Sequence, residues 1–180
     1  MVKKEFNHDG GSAIIRDVIL GGQDGIVNVL GIVLAVATAT NSKYIILISG
    51  LAATFAESIS MAAVGYTSAK AGTEYYVKKG FRHSMYEEFA HPVRDSVIIG
   101  VAAIVGTLIP VVPFIFFSIG DAMWLTLVFA TLALFGIGFY KAKQMDLNAW
   151  KSGIELAIVG MTAAIAGYVI GVLLGALPLA

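Results

Sequence analysis

RDVILGGQDGIVNVLGIVLAV, residues 16–36, opens on a charged pair and closes in unbroken hydrocarbon. The apolar stretch around it, about 18–40, reaches the roughly 20 residues a helix needs to cross a bilayer. Asp17 lies at its edge, and Asp24 and Asn28 lie inside it. A helix turns about 100° per residue, so positions i, i+4, i+7 and i+11 share a face. Asp17, Gly21, Asp24, Asn28, Gly31 and Ala35 follow that series, and the spacing predicts one stripe of acidic, amide and small residues. Val18, Ile19, Ile26, Val27, Val29, Ile32 and Val33 cover much of the remaining surface. A carboxylate at the bilayer centre costs roughly 3 kcal/mol or more. Asp24 is about two turns, ~10 Å, deeper than Asp17. It is expected to face a partner, a cation or water.

The rest of the chain repeats the pattern of long apolar runs. Of 180 residues, 58% are hydrophobic and 13% charged, about half the charge of an ordinary soluble domain. Mean hydropathy is +0.83. Four further spans are read at about 44–69, 97–119, 122–140 and 154–177. Asn41-Ser42-Lys43, the loop 70–95, Gly120-Asp121 and 141–153 separate them. The alternation of barrel strands is absent, so backbone groups in lipid must be satisfied by helices. The expected fold is all-α, a single polytopic domain of five membrane helices over 1–180. Pro110 and Pro113 should kink the third span or end it early. The first hydrophobic stretch carries Asp24 and lacks a convincing cleavage site, so it reads as a retained span.

Orientation follows from the basic residues. Lys3, Lys4, Arg16, Lys70, Lys78, Lys79, Arg82, Arg94, Lys141, Lys143 and Lys151 fall on one side of this topology, and Lys43 alone on the other. Cytoplasmic segments carry the excess of Lys and Arg, so the N-terminus and the loops 70–95 and 141–153 are expected in the cytoplasm. Net charge is zero, and nothing suggests nucleic-acid binding. The absence of cysteine excludes disulfides, thiolate metal sites and cysteine catalysis.

The second span, GLAATFAESISMAAVGYTSAK (50–70), carries Glu57 and Met61 at i, i+4, one above the other. A lone methionine in such a helix is ordinarily packing. Beside a buried glutamate it becomes a candidate ligand. Carboxylate oxygens with one thioether suit a divalent first-row ion such as Fe²⁺ or Mn²⁺ better than Na⁺ or Ca²⁺. A carboxylate in a dry site favours its protonated form, so it can carry a proton when the metal leaves. Asp17 could instead cap a helix or pair with Arg16, and Asn28 could simply join helices by hydrogen bonds.

Outside the spans, GTEYYVKKGFRHSMYEEFAHP (72–92) stacks His83, Glu87 and His91 at i, i+4, i+8 if helical, and Glu88 and His91 form one Glu-x-x-His. A ferritin-like di-iron centre needs two such motifs and two more glutamates. The segment therefore reads as a solvated amphipathic stretch or a loose metal-collecting site. GYVIGVLLG (167–175) spaces three glycines by four, a helix-packing pattern. RDVILG (16–21) has a short echo in RDSVIIG (94–100). A charged pair where a helix meets the membrane surface is a common feature, and the match is short.

RDVILGGQDGIVNVLGIVLAV, ESISMAAVGYTSAK and KSGIELAIVGMTAAIAGYVIG together resemble the vacuolar iron transporter family, over nearly the whole chain. The Arg-Asp pair, the Asp-Gly seven residues on and Ser60-Met61 are the specific parts. The resemblance implies a five-helix protomer forming a homodimer, with a pathway along the subunit interface lined by the first two helices. It implies export of Fe²⁺, and often Mn²⁺, from the cytosol in exchange for protons, with the metal as substrate and no resident cofactor. Asp24 and Met61 match the family's in-membrane aspartate and methionine, and Asp17 its aspartate at the cytoplasmic mouth. Gly21, Gly25 and Gly31 would allow close helix approach around that path.

Two departures are visible. Members with a full cytoplasmic metal-binding domain carry a long glutamate-rich insert between the second and third spans, where about 25 residues remain here. The second-span glutamate of plant members lies about two turns before the methionine, at the place of Ala53. Here Glu57 lies one turn before Met61. The reading is a proton-coupled divalent metal transporter, not an enzyme. It would sit in the cell membrane of a prokaryote, or in a vacuolar or other internal membrane of a eukaryote. The rivals are a structural or regulatory membrane protein, whose acids only join a dimer, and a membrane ferroxidase using the 83–91 cluster.

Overall fold

A computed structural model of the chain describes residues 10–80 and 91–176, all of whose regular structure is helical. The helices are α1 (Gly10–Thr40), α2 (Lys43–Lys78), α3 (Pro92–Phe116), α4 (Ile119–Gln144) and α5 (Ala149–Gly175). They match the five expected spans in number and order. Each is long and apolar enough to cross a bilayer. The α1–α2 and α4–α5 breaks fall where the sequence placed them, whereas the α3–α4 break falls at Phe117-Ser118, inside the expected third span, and Gly120-Asp121 lie in the first turn of α4. Asn41 adopts a left-handed φ of 47° after α1, a conformation asparagine tolerates at a helix C-terminus. The Ser118 hydroxyl accepts from the Asp121 N–H and donates to its carboxylate at 2.6 Å, and Asn148 Oδ1 accepts from the Lys151 N–H. Both are N-caps that satisfy donors a helix start leaves free.

Most helices extend past their expected apolar limits, α1 starting at Gly10 and α5 at Ala149, and two boundaries are instructive. α2 continues to Lys78, well past the apolar limit near 69, because a helix leaving the bilayer loses hydropathy and not its backbone hydrogen bonds. It stops where Gly80 takes a φ of 72°. α3 runs through Pro110 and Pro113 and ends at Phe116, with the Phe117 N–H bonded to the Pro113 carbonyl. The prolines sit in its last two turns, so the ladder bonds they remove lie close to the helix end. Thr126 of α4 donates to the Pro110 carbonyl at 2.9 Å in a buried contact.

α1 is the central helix and packs against all four others. Its contacts with α3 and α5 are backbone to backbone. Gly106 of α3 lies against the carbonyl of Gly22, and Gly167 of α5 against the carbonyl of Gly31. Position numbers rise together across both contacts, so α1, α3 and α5 run parallel, with α2 and α4 returning between them. The α1–α2 and α3–α4 turns therefore share one end, where Lys43 Nζ donates to the Phe117 carbonyl at 3.3 Å. Arg16, Lys78, Arg94, Lys141 and Lys151 gather at the other, hereafter the basic end.

Side-chain size is distributed as in a bilayer. α4 buries Ala122, Thr126, Ala130, Leu134, Gly138 and Ala142 at every fourth position. Phe55, Trp124, Leu132 and Ile165 point outward. Small residues inside let helices approach, and large apolar ones face lipid tails at no penalty. The chain is an integral membrane protein.

These contacts make a stability prediction. A methyl group at position 106 would collide with the Gly22 backbone, whereas one at Gly136 meets nothing within 4 Å. Gly106→Ala should lower the thermal midpoint in detergent, at a cost of about 1–3 kcal/mol. Gly136→Ala should leave it unchanged or slightly raised, as alanine favours helix. Trp124 and Trp150 fluorescence reads both. Equal midpoints would show that the α1–α3 contact is not close.

Candidate functional site

The three polar groups that the sequence carries deepest into the first two spans meet in the structure. Asp24 and Asn28 lie one turn apart on α1, and the Asn28 amide donates to Asp24 Oδ2 at 3.3 Å. Glu57 of α2 stands near both the Asp24 carboxylate and the Asn28 side chain, close enough to interact with them electrostatically. Asp24 and Glu57 are half-buried and Asn28 is exposed. The group thus opens onto a face that the protomer's own helices leave uncovered. Met61, half-buried, follows one turn closer to the basic end. Two carboxylates, an amide oxygen and a nearby thioether are hard and borderline donors in one place. They do not complete a coordination sphere. Among the described residues no three His, Cys, Asp or Glu side chains come together closely enough to hold a metal.

The expected stripe along α1 is continuous on the helix but is divided among different neighbours. Gly21 packs against the Ile99 carbonyl and Ala103 of α3, Gly25 against Ala103 and Thr107, and Gly31 against Ala163 and Gly167 of α5. Asn28 is the one exposed member of the stripe, with Asp24 half-buried beside it. A helical wheel gives an angle around one axis. It does not say which neighbour occupies that angle at each level.

Asp17 is fully buried at the basic end. Arg16 grips its Oδ1 with Nε at 3.0 Å and Nη2 at 2.9 Å. Asp95 of α3 repeats the arrangement: 1% exposed, with Arg94 holding its Oδ1 through Nε at 3.0 Å and Nη2 at 2.9 Å. Both aspartates line one cavity of about 140 Å³ between α1, α2 and α3, together with Met61, Gly65 and Ser68. Asp95 was not among the residues the sequence singled out. Its signal was the echo between RDVILG and RDSVIIG, which parallel packing of α1 and α3 turns into two matched ion pairs facing the same space.

His83, Glu87 and Glu88 lie outside the described residues. His91 is exposed immediately before α3 and makes no capping bond through its side chain. Glu155 is exposed, 4.0 Å from Lys151 one turn away, as expected of a group at headgroup level.

A sequence model described as the VIT family matches residues 15–85 and 77–172. The two matches overlap at 77–85, from the last residues of α2 onward. Vacuolar iron transporter 1 of Tulipa gesneriana is 23% identical over 218 residues, covering 91% of this chain and 88% of the tulip protein. Vacuolar iron transporter 1 of Oryza sativa subsp. japonica is 24% identical over 215 residues, with 89% and 85% covered. An uncharacterized protein of Methanocaldococcus jannaschii is 25% identical over 187 residues, with 94% of each chain covered. The plant alignments run longer than the 180 residues of this chain, so those proteins carry residues with no counterpart here. The archaeal one is nearly collinear.

Proposed function

The chain belongs to the VIT family, and from that premise we propose that it is a proton-coupled transporter that carries Fe²⁺ or Mn²⁺ out of the cytosol. The observation that carries the reading is the Asp24–Asn28–Glu57 group, set inside two membrane helices and open on one side. Carboxylates in hydrocarbon are expensive unless something neutralises them. A dication does so, and when it leaves, protons take its place. Substrate and counter-ion are thus alternative ways of discharging the same oxygens. Iron enters the proposal through the named plant relatives. Manganese enters through the oxygen-rich donor set.

The open face supports a homodimer. One protomer offers two carboxylates and one amide oxygen there, too few for the six ligands an octahedral ion takes. A second copy related by a two-fold axis along α1 doubles the donors and removes the carboxylates from lipid. Symmetric pairing of one patch with itself is the commonest route to an oligomer. The chain has no native cysteine, which makes the proposal directly testable. Ile32, 39% exposed next to the group, should cross-link between subunits when replaced by cysteine. Leu30 and Val33, both buried, should not. Cross-linking that ignores this difference would rule out the axis.

Metal flux into proteoliposomes under several pH gradients tests transport itself. Asp24→Asn keeps size and removes charge, and should abolish flux while the protein still inserts and dimerises. Met61→Leu removes the sulfur donor at similar volume, and should weaken Fe²⁺ and Co²⁺ transport more than Mn²⁺ transport. Glu57→Gln should flatten the dependence of flux on the proton gradient. Wild-type flux in correctly assembled Asp24→Asn protein would reduce the group to structural glue and end the transporter reading of this site.

A further inference from the structure

We propose that Asp95 is a metal ligand, and that with Asp17 it forms a divalent-cation site inside a single protomer, separate from the Asp24–Glu57 group. The proposal deepens the transporter reading and rests on it for its purpose, giving the ion a stop at the basic end before the open face.

Three observations converge. The first is burial without satisfaction. Asp17 and Asp95 are 0% and 1% exposed, and the Oδ2 atom of each has no hydrogen-bond partner. A buried acceptor left unpaired is costly, and more so when charged. Here two such oxygens belong to residues lining the same cavity. The second is how the arginines are used. Arg16 and Arg94, each more than a third exposed, take Oδ1 alone. They hold one oxygen of each carboxylate and leave the other without a donor, and Arg16 itself forms part of the cavity wall. Were the pairs merely structural, the fork of a guanidinium could bond both oxygens of its carboxylate.

The third is the remaining wall. Ser68 donates its proton to the Gly65 carbonyl, so its hydroxyl oxygen is available as an acceptor. Met61 adds a thioether, and about 140 Å³ leaves room for an ion with several of its waters. Two carboxylate oxygens, a hydroxyl and a thioether match a first-row divalent ion better than an alkali ion. The two arginines cancel the formal charge of the two aspartates. That permits the pocket to be built without an ion and suits a site that must also release one.

Asp95 stands in the first turn of α3, and a structural role there is the competing explanation. A carboxylate that only stabilises a helix start and pairs with Arg94 predicts that Asp95→Asn alters stability and leaves metal binding untouched. The test uses the full chain in nanodiscs, with Mn²⁺ as probe and loss of the free-ion paramagnetic resonance signal as readout. The Asp24→Asn/Glu57→Gln double variant silences the open-face group. It should retain one class of Mn²⁺ site per protomer. Adding Asp95→Asn should weaken that class by more than the roughly 10- to 100-fold typical of losing an outer partner, at unchanged oligomeric state. Unchanged affinity would overturn the proposal, as would absence of the class from the double variant. If Asp95→Asn fails to assemble, the double variant decides alone. Its thermal midpoint must rise with Mn²⁺ by mass action, and Asp17→Asn must remove the rise. No rise means a cavity filled by water only. Flux through Asp24→Asn is read separately, so the transporter reading and this site fail by different measurements.

Discussion

Gly106 rests on the carbonyl of Gly22, and Gly167 rests on the carbonyl of Gly31. Any side chain at these positions would push α3 or α5 away from α1. In water, a bundle can be held by large apolar side chains escaping solvent. In lipid that force is absent between helices, since a tail is as apolar as leucine, and close backbone packing must supply the attraction. The glycines of α1, α3 and α5 therefore fix which helices are neighbours. Three parallel helices in backbone contact leave α2 and α4 to fill the remaining sides, and Gly138 of α4 meets the Ser152 backbone of α5 just as closely.

That arrangement decides what the polar residues of α1 can do. Two of its sides are closed by α3 and α5 at distances that admit no ion. The stripe from Asp17 to Ala35 can therefore meet a ligand only where a side chain escapes those contacts. It does so at two levels. At the basic end, Asp17 turns into the space between α2 and α3. Seven residues on, Asp24 and Asn28 look past α2 to the outside. The same close packing that stabilises the bundle thus restricts chemistry to one wall of it, and Glu57 and Met61 of α2 stand along that wall.

Sequence reading recovered the five helices because span length and the clustering of charge are one-dimensional properties. It named Asp24, Asn28 and Glu57 as candidates, since a charge inside a span is conspicuous on its own. It could not extend α2 to Lys78. The segment AGTEYYVK has no hydropathy signal, and its helix is a continuation of hydrogen bonding from the span before it. Nor could it divide the α1 stripe among neighbours, because periodicity carries no information about the partner. Asp95 was hidden for a related reason. Its short echo gains meaning only once α1 and α3 are known to lie parallel and in register, and that register is set by Gly21, Gly25 and Gly106 in three dimensions.

On the proposed reading, Met61 acquires a role from its position more than from its softness. It lines the Asp17–Asp95 cavity and stands one helical turn from Glu57, while Asp17 and Asp24 are about 10 Å apart along α1. An ion leaving two carboxylates for two others would have to cross that distance. Conduction needs sites favourable enough to bind and weak enough to leave. A third pair of carboxylates midway would hold a dication too firmly. An apolar side chain there would offer it nothing. A thioether is neutral, polarizable and a weak donor, so it bridges the gap without becoming a trap. Replacing it by leucine would raise the barrier between the two groups and take the thioether from the Asp17–Asp95 wall while leaving all four carboxylates in place, whereas replacing it by a carboxylate would deepen one of them. The choice of methionine at this level follows from the need to connect two acidic sites that must remain separate.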